Sequence, residues 1–170
     1  MDKAAAEQLG FAVKPEPVRP AEISFTDGSG EPISLDAFKG KIVLLNLWAT
    51  WCPPCREEMP TLDALQAELG GADFKVLALS IDQGGPDPVR SFYEEIGIEH
   101  LSIYNDKSAQ AGMKLGALGV PMTLLLDRSG YELARLTGAK DWHSPEMVEF
   151  LRDTIAVTKR HEQDAGEERD

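Results

Sequence analysis

A chain of 170 residues, 42% of them hydrophobic, is long enough for one domain with a sizeable core and too short for two ordinary ones. A net charge of −12 excludes a general electrostatic attraction to nucleic acid or to an anionic membrane surface. Both of its two cysteines fall in one motif, which excludes a structural disulfide framework and leaves stability to packing.

Taken in order, residues 1 to 20 hold a short Ala-rich piece and then KPEPVRP, whose three prolines favour an extended linker or tether. No stretch of the chain approaches the ~20 apolar residues of a membrane span, and this opening lacks the pattern of a signal peptide. Ile23 to Phe25 and Pro32 to Leu35 flank Asp27-Gly28-Ser29-Gly30 and read as a hairpin at the domain edge. Asp36 to Gly40 turns into an almost unbroken apolar run, Ile42 to Trp48, which reads as a strand buried on both faces.

Cys52-Pro53-Pro54-Cys55 follows at once, and a helical pattern begins with Arg56, so the cysteines sit where a strand ends and a helix starts. Met59, Leu62, Leu65 and Leu69 continue one helical face with Cys55. A bend is expected at Pro60 and a stop at Gly70-Gly71. Phe74 to Ile81 forms the next strand, and the strand–helix–strand crossover is the setting in which a CxxC reads as redox chemistry. Beyond a Gly/Pro loop come a helix from about Val89 to Ile96, a strand at Leu101 to Tyr104 and a helix at Lys107 to Leu115. Leu124 to Leu126 and Tyr131 to Leu136 read as an antiparallel pair. Ser144-Pro145 opens a last helix to about Val157, and residues 158 to 170 are a charged, frayed tail. The folded domain is expected over residues 21 to 157.

A helix N-terminus carries unpaired backbone N–H groups and the positive end of the macrodipole, which stabilise a thiolate over a thiol. Cys52, at the exposed tip, is therefore the expected nucleophile, and Cys55, turned inward, the resolving thiol. Pro53 and Pro54 have no N–H and suit a first helical turn. A closed zinc site needs four ligands, and beyond the two sulfurs the chain offers His100, His143 and His161. A Cu(I) site made of the two sulfurs and one histidine stays open, and a Cu(I)-binding metallochaperone is the alternative reading.

The segments WATWCPPC (48 to 55), REEMP (56 to 60), GVPMTLLLD (119 to 127) and FTDGSGEPISL (25 to 35) resemble the thioredoxin superfamily, in particular its TlpA-like and ResA-like branch. The resemblance spans about residues 22 to 156, and the stretch around Tyr104-Asn105-Asp106 brings it closest to the TlpA-like members. It implies an α/β fold with a central mixed sheet flanked by helices, an N-terminal β-hairpin and a central αβ insertion. It also implies a cis Val120-Pro121 bond facing the cysteines, where an ordinary edge-strand proline is the alternative. Trp51, Pro53, Pro54, Val120 and Pro121 are then the expected substrate-binding residues, although Trp51 is expected to pack first and contact substrate second.

Glu58, one turn beyond Cys55, matches a glutamate associated in that branch with proton handling at the second cysteine, and is the third expected catalytic residue. Thioredoxin itself has a buried aspartate where this chain has Asn46, and an amide cannot act as a base. Glu57 reads as a solvated residue and Asp82 as a loop cap. The function implied is that of a thiol:disulfide oxidoreductase needing no bound cofactor or metal. Its potential should lie nearer the ~−270 mV of thioredoxin than the ~−120 mV of DsbA. The resemblance further implies a monomeric periplasmic reductant held by an N-terminal membrane anchor absent from this chain. Its partners would be protein disulfides of apocytochrome c or copper-handling proteins, and an upstream membrane thiol reductase.

Overall fold

The computed structural model describes the backbone of residues 1–169 and the side chains of residues 1–159. Its elements in chain order are α1 (Lys3–Gln8), β1 (Ala12–Val18), β2 (Phe25–Asp27), β3 (Pro32–Ile33), a 3-10 turn (Leu35–Phe38) and β4 (Ile42–Trp48). After these come α2 (Pro53–Leu69), β5 (Phe74–Ser80), α3 (Pro86–Ile96), β6 (Tyr104–Asn105) and α4 (Gln110–Lys114). The chain closes with β7 (Met122–Leu126), β8 (Glu132–Thr137) and α5 (Pro145–Arg169).

Every residue of β4 is buried, as its apolar run requires. Pleating sends alternate side chains to opposite faces. Ile42, Leu44 and Trp48 therefore enter one core cluster, with Leu62 and Leu65 of α2, Phe92 of α3 and Phe150 of α5. Val43, Leu45 and Leu47 enter the other, with Phe38, Tyr104, Ala111 and Leu124. Asn46 shares the parity of the first set, so a single polar side chain is carried under α2.

The eight strands form one sheet in the order β1-β8-β7-β4-β5-β6-β2-β3. β4 pairs in parallel with β5, and β5 with β6, while β7 lies antiparallel on the other side of β4. Helices on both faces cover this mixed centre. The β4–β7 register sets Asn46 opposite Thr123, on the same face.

The linker expected over residues 1 to 20 is instead a short helix and an edge strand. Ala6 and Phe11 are buried, and the Phe11 ring stands 6.0 Å from Trp142 and 5.7 Å from Phe150. These two apolar anchors draw the segment onto α5. Prolines cannot donate to a ladder and so favour an edge: β1 pairs Ala12 with Arg135 and Val13 with Ala134, then skips past Pro15 and Pro17 to pair Val18 with Glu132. The hairpin of β2 and β3 is consequently not the first element of the chain.

α4 starts at Gln110, later than Lys107, because the Asp106 carboxylate accepts from the Ser108 N–H at 3.0 Å and the Ala111 N–H at 2.8 Å and holds residues 107–109 in a turn. α2 runs on through Pro60, whose missing N–H deprives only the carbonyl of exposed Arg56. α5 extends past Val157 to Arg169. Of the tail expected at 158 to 170, the side chains of 160–170 and the backbone of Asp170 lie outside the described residues.

Candidate active site

Cys52 is the N-cap of α2, in extended backbone, and Pro53 and Pro54 occupy the first two helical positions. Of the first three N–H positions of the helix only that of Cys55 exists, and it donates to Cys52 Sγ at 3.3 Å. The two sulfurs are joined in a disulfide, with their Cα atoms 5.3 Å apart. A backbone N–H aimed at a sulfur favours its charged form over the neutral one.

Cys52 is less exposed than its place at the tip predicts, at 5%, whereas Cys55 is sealed at 0%. Cys52 is thus the less enclosed of the two cysteines. Beside it the Val120–Pro121 bond is cis and the Val120 carbonyl oxygen lies 3.7 Å from Cys52 Sγ. Trp51, expected to pack first, is 66% exposed, while Trp48 is fully buried against Phe92 and Tyr93. The strand ends at Trp48, so the chain turns outward before Trp51 and leaves its ring beside the motif.

One turn beyond Cys55, Glu58 is 2% exposed, and Glu57 is exposed as a solvated residue should be. The Glu58 carboxylate accepts from Asn46 Nδ2 at 2.7 Å, from the Lys140 N–H at 3.0 Å and from Trp142 Nε1 at 3.0 Å. Burial pushes its carboxyl above the ordinary value, against the three donors, which favour the charged form. Asn46 Nδ2 also donates to Thr123 Oγ1 at 2.9 Å, and its buried Oδ1 has no partner. The amide at this position is thus a donor serving Glu58.

Asp82 caps the loop that leads to Cys52. Its carboxylate accepts from the Thr50 N–H at 3.1 Å, Thr50 Oγ1 at 2.6 Å and Ser80 Oγ at 2.6 Å. Replacing it by alanine strands these donors beside a 4% exposed position. Asp82→Ala is expected to lower unfolding stability by about 2–4 kcal/mol in urea titration, with a smaller loss for Asp82→Asn.

Asn46, Lys140 and Trp142 are not legible in the sequence as partners of Glu58, nor is Thr123 as an acceptor for Asn46. The one visible signal is Asn46, a polar residue inside an otherwise apolar strand. Among the described residues no group of three or more His, Cys, Asp or Glu side chains could hold a metal ion. His143 instead stands 3.6 Å from Glu68 on the surface.

A family model described as Redoxin matches residues 16–151. The chain is 35% identical over 141 residues to the thiol:disulfide interchange protein HelX of Rhodobacter capsulatus, covering 81% of this chain and 71% of that protein. It is 29% identical over 127 residues to the thiol-disulfide oxidoreductase ResA of Bacillus thuringiensis, covering 75% and 71%. The crystal structure of a DsbF homologue from Corynebacterium diphtheriae superposes with a TM-score of 0.65 at 25% identity, over 86% of this chain and 90% of that one.

Proposed function

The chain belongs to the Redoxin family, has a thioredoxin-like α/β fold and is a thiol:disulfide oxidoreductase; on that premise we propose that it reduces particular protein disulfides, with Cys52 attacking and Cys55 resolving. The Cys52 thiolate attacks one sulfur of the substrate disulfide, that bond breaks, and the departing substrate thiolate takes up a proton. Cys55 then gives its proton to Glu58 and attacks Cys52 Sγ. The mixed disulfide breaks, the second substrate sulfur leaves as a thiolate that takes up a proton from solvent, Glu58 gives its proton back to solvent, and two electrons have passed from the cysteine pair to the substrate.

One arrangement carries this reading: a cysteine at a helix N-cap that keeps a little exposure, a sealed partner cysteine bonded to it, and a backbone carbonyl beside the first sulfur. Trp51, Pro53, Pro54, Val120 and Pro121 surround Cys52 as the substrate-binding surface. Val120 would offer its backbone to an extended substrate segment during the mixed disulfide.

Two prolines support the reducing direction. They remove two N–H groups that would otherwise stabilise the Cys52 thiolate, and a less stabilised thiolate is a better electron donor. In the cell the substrates would be disulfides of apocytochrome c or of copper-handling proteins, with a membrane thiol reductase restoring the dithiol. We place the protein, as a monomer, in the periplasm with a membrane anchor. No helix among the described residues is long and apolar enough to cross a membrane, so that anchor would lie outside them.

The test is reduction of insulin disulfides with dithiothreitol regenerating the enzyme. Catalytic turnover well above the dithiothreitol background is expected, and a rate equal to that background would overturn the assignment.

A further inference from the structure

A second built-in charge cluster sits on β8, away from the cysteines in sequence. Glu132 is 3% exposed, and a buried carboxylate is unfavourable unless it is paired. Arg135 forks onto it, with Nε 2.7 Å from Oε2 and Nη2 2.7 Å from Oε1, and Lys14 Nζ of β1 stands 3.8 Å from Oε2. Residues three apart on a regular strand face opposite sides. Here the register slips between Leu125, paired with Ala134, and Leu126, paired with Glu132, so that Leu133 is an extra residue. The bulge reverses the parity and brings Glu132 and Arg135 to one face.

A guanidinium has five donors, and Glu132 does not use them all. Nη2 also donates to the Leu115 carbonyl at 2.9 Å, and Nη1 reaches the Gly116 carbonyl at 3.4 Å. These are carbonyls at the end of α4, where helical partners run out. Gly116, at φ +72°, then turns the chain into residues 117–120, which end at the carbonyl beside Cys52 Sγ. That stretch has a backbone anchor at each end: the Ala117 N–H donates to Gly112 at 2.8 Å, and the Gly138 N–H donates to Pro121 at 2.9 Å. Between them Leu118 is wholly exposed, at 103%.

We infer that Arg135, held by Glu132, is a positioning residue that fixes the start of the 115–120 segment and so sets where Leu118 and Val120 meet a protein disulfide docked on Cys52. This rests on the reading of the cysteine site given above. The link to Lys14 makes the N-terminal edge strand part of the same clamp. A small disulfide that touches only the sulfurs gains nothing from it, whereas a protein segment laid along Val120 and Leu118 does. Without the clamp, the loop must be ordered at the moment of docking.

The charge-neutral pair Glu132→Gln with Arg135→Met avoids a lone buried charge, and Arg135→Lys keeps the charge without the fork. Insulin reduction and reduction of the small disulfide DTNB are measured for each, with amide exchange at residues 116–120. For the double variant the expected result is a KM for insulin raised about tenfold with kcat nearly unchanged and an unaltered DTNB rate, the loop paying its ordering cost on binding. Exchange at 116–120 should quicken about tenfold. Arg135→Lys should fall between. Wild-type insulin KM and wild-type exchange in a folded double variant would overturn the inference, and so would equal losses on insulin and DTNB. Should the wild-type protein reduce neither disulfide, the reading of the site fails, and exchange alone decides the clamp: faster exchange upholds it and unchanged exchange overturns it.

Discussion

Cys52→Ser should abolish disulfide reduction, with a loss on the order of 10³-fold or more, because a hydroxyl at neutral pH supplies no comparable nucleophile. Cys55→Ser should behave differently. Its Cys52 thiolate still attacks, but nothing beneath it displaces the product, so a covalent complex with substrate accumulates and is seen as a reductant-sensitive band shift. The asymmetry follows from burial: Cys52 retains 5% exposure and Cys55 none, which favours Cys52 as the residue an incoming disulfide meets. If Cys55→Ser captures no insulin chain while Cys52→Ser does, the two roles are reversed. The same variant, used in the native cell, would identify the substrates by what it holds.

Glu58→Gln should slow resolution of the mixed disulfide at neutral pH by about 10²-fold, the lower end of what a positioned general base contributes. The side chain keeps its shape, and Asn46 can meet the new amide by turning its own Oδ1 toward it. Only the proton acceptor is lost. In the wild-type protein the resolution rate should rise with pH as Glu58 ionises, over a range displaced above 4.5 because burial raises its carboxyl. In Glu58→Gln that rise should vanish, and an unchanged pH–rate profile would remove Glu58 from the mechanism.

Stability gives a second readout of the same group. Because the folded-state value is raised, the folded protein holds the Glu58 proton more tightly than the unfolded chain does, and this contribution is complete below 4.5. It is lost as pH climbs through the raised folded value. Urea midpoints of the wild type should therefore fall relative to those of Glu58→Gln as pH rises through that window. Glu58→Leu is a harsher change: it leaves Asn46 Nδ2, the Lys140 N–H and Trp142 Nε1 without their acceptor, at about 1–3 kcal/mol for each buried donor.

Much of this site is legible in a short stretch of chain. An apolar run, two cysteines and two prolines are enough to place a sulfur at a helix N-cap, because strand burial, proline geometry and unpaired first-turn N–H groups are local properties. The inward direction of Cys55 follows likewise from its helical spacing to Met59 and Leu62, both fully buried. Residues 1 to 20 depart from the expected linker for a related reason. Their prolines are local signals of extension, and extension suits a linker and an edge strand equally. What separates the two is Phe11 against Trp142 and Phe150, a contact across more than a hundred residues.

Sequence by itself thus determined where the two cysteines stand, their order along the chain and the helix end that Cys52 caps, since each depends on neighbours within a turn or two. Only the tertiary structure decided what surrounds them. Lys140 and Trp142 reach Glu58 from 82 and 84 residues away, and Arg135 reaches the Leu115 carbonyl from 20. Such partners are brought together by the strand order, by the bulge at Leu133 and by the loop between β8 and α5. A hydrogen bond requires its two groups within about 3 Å, and for groups so far apart in the chain that proximity comes from the assembled sheet.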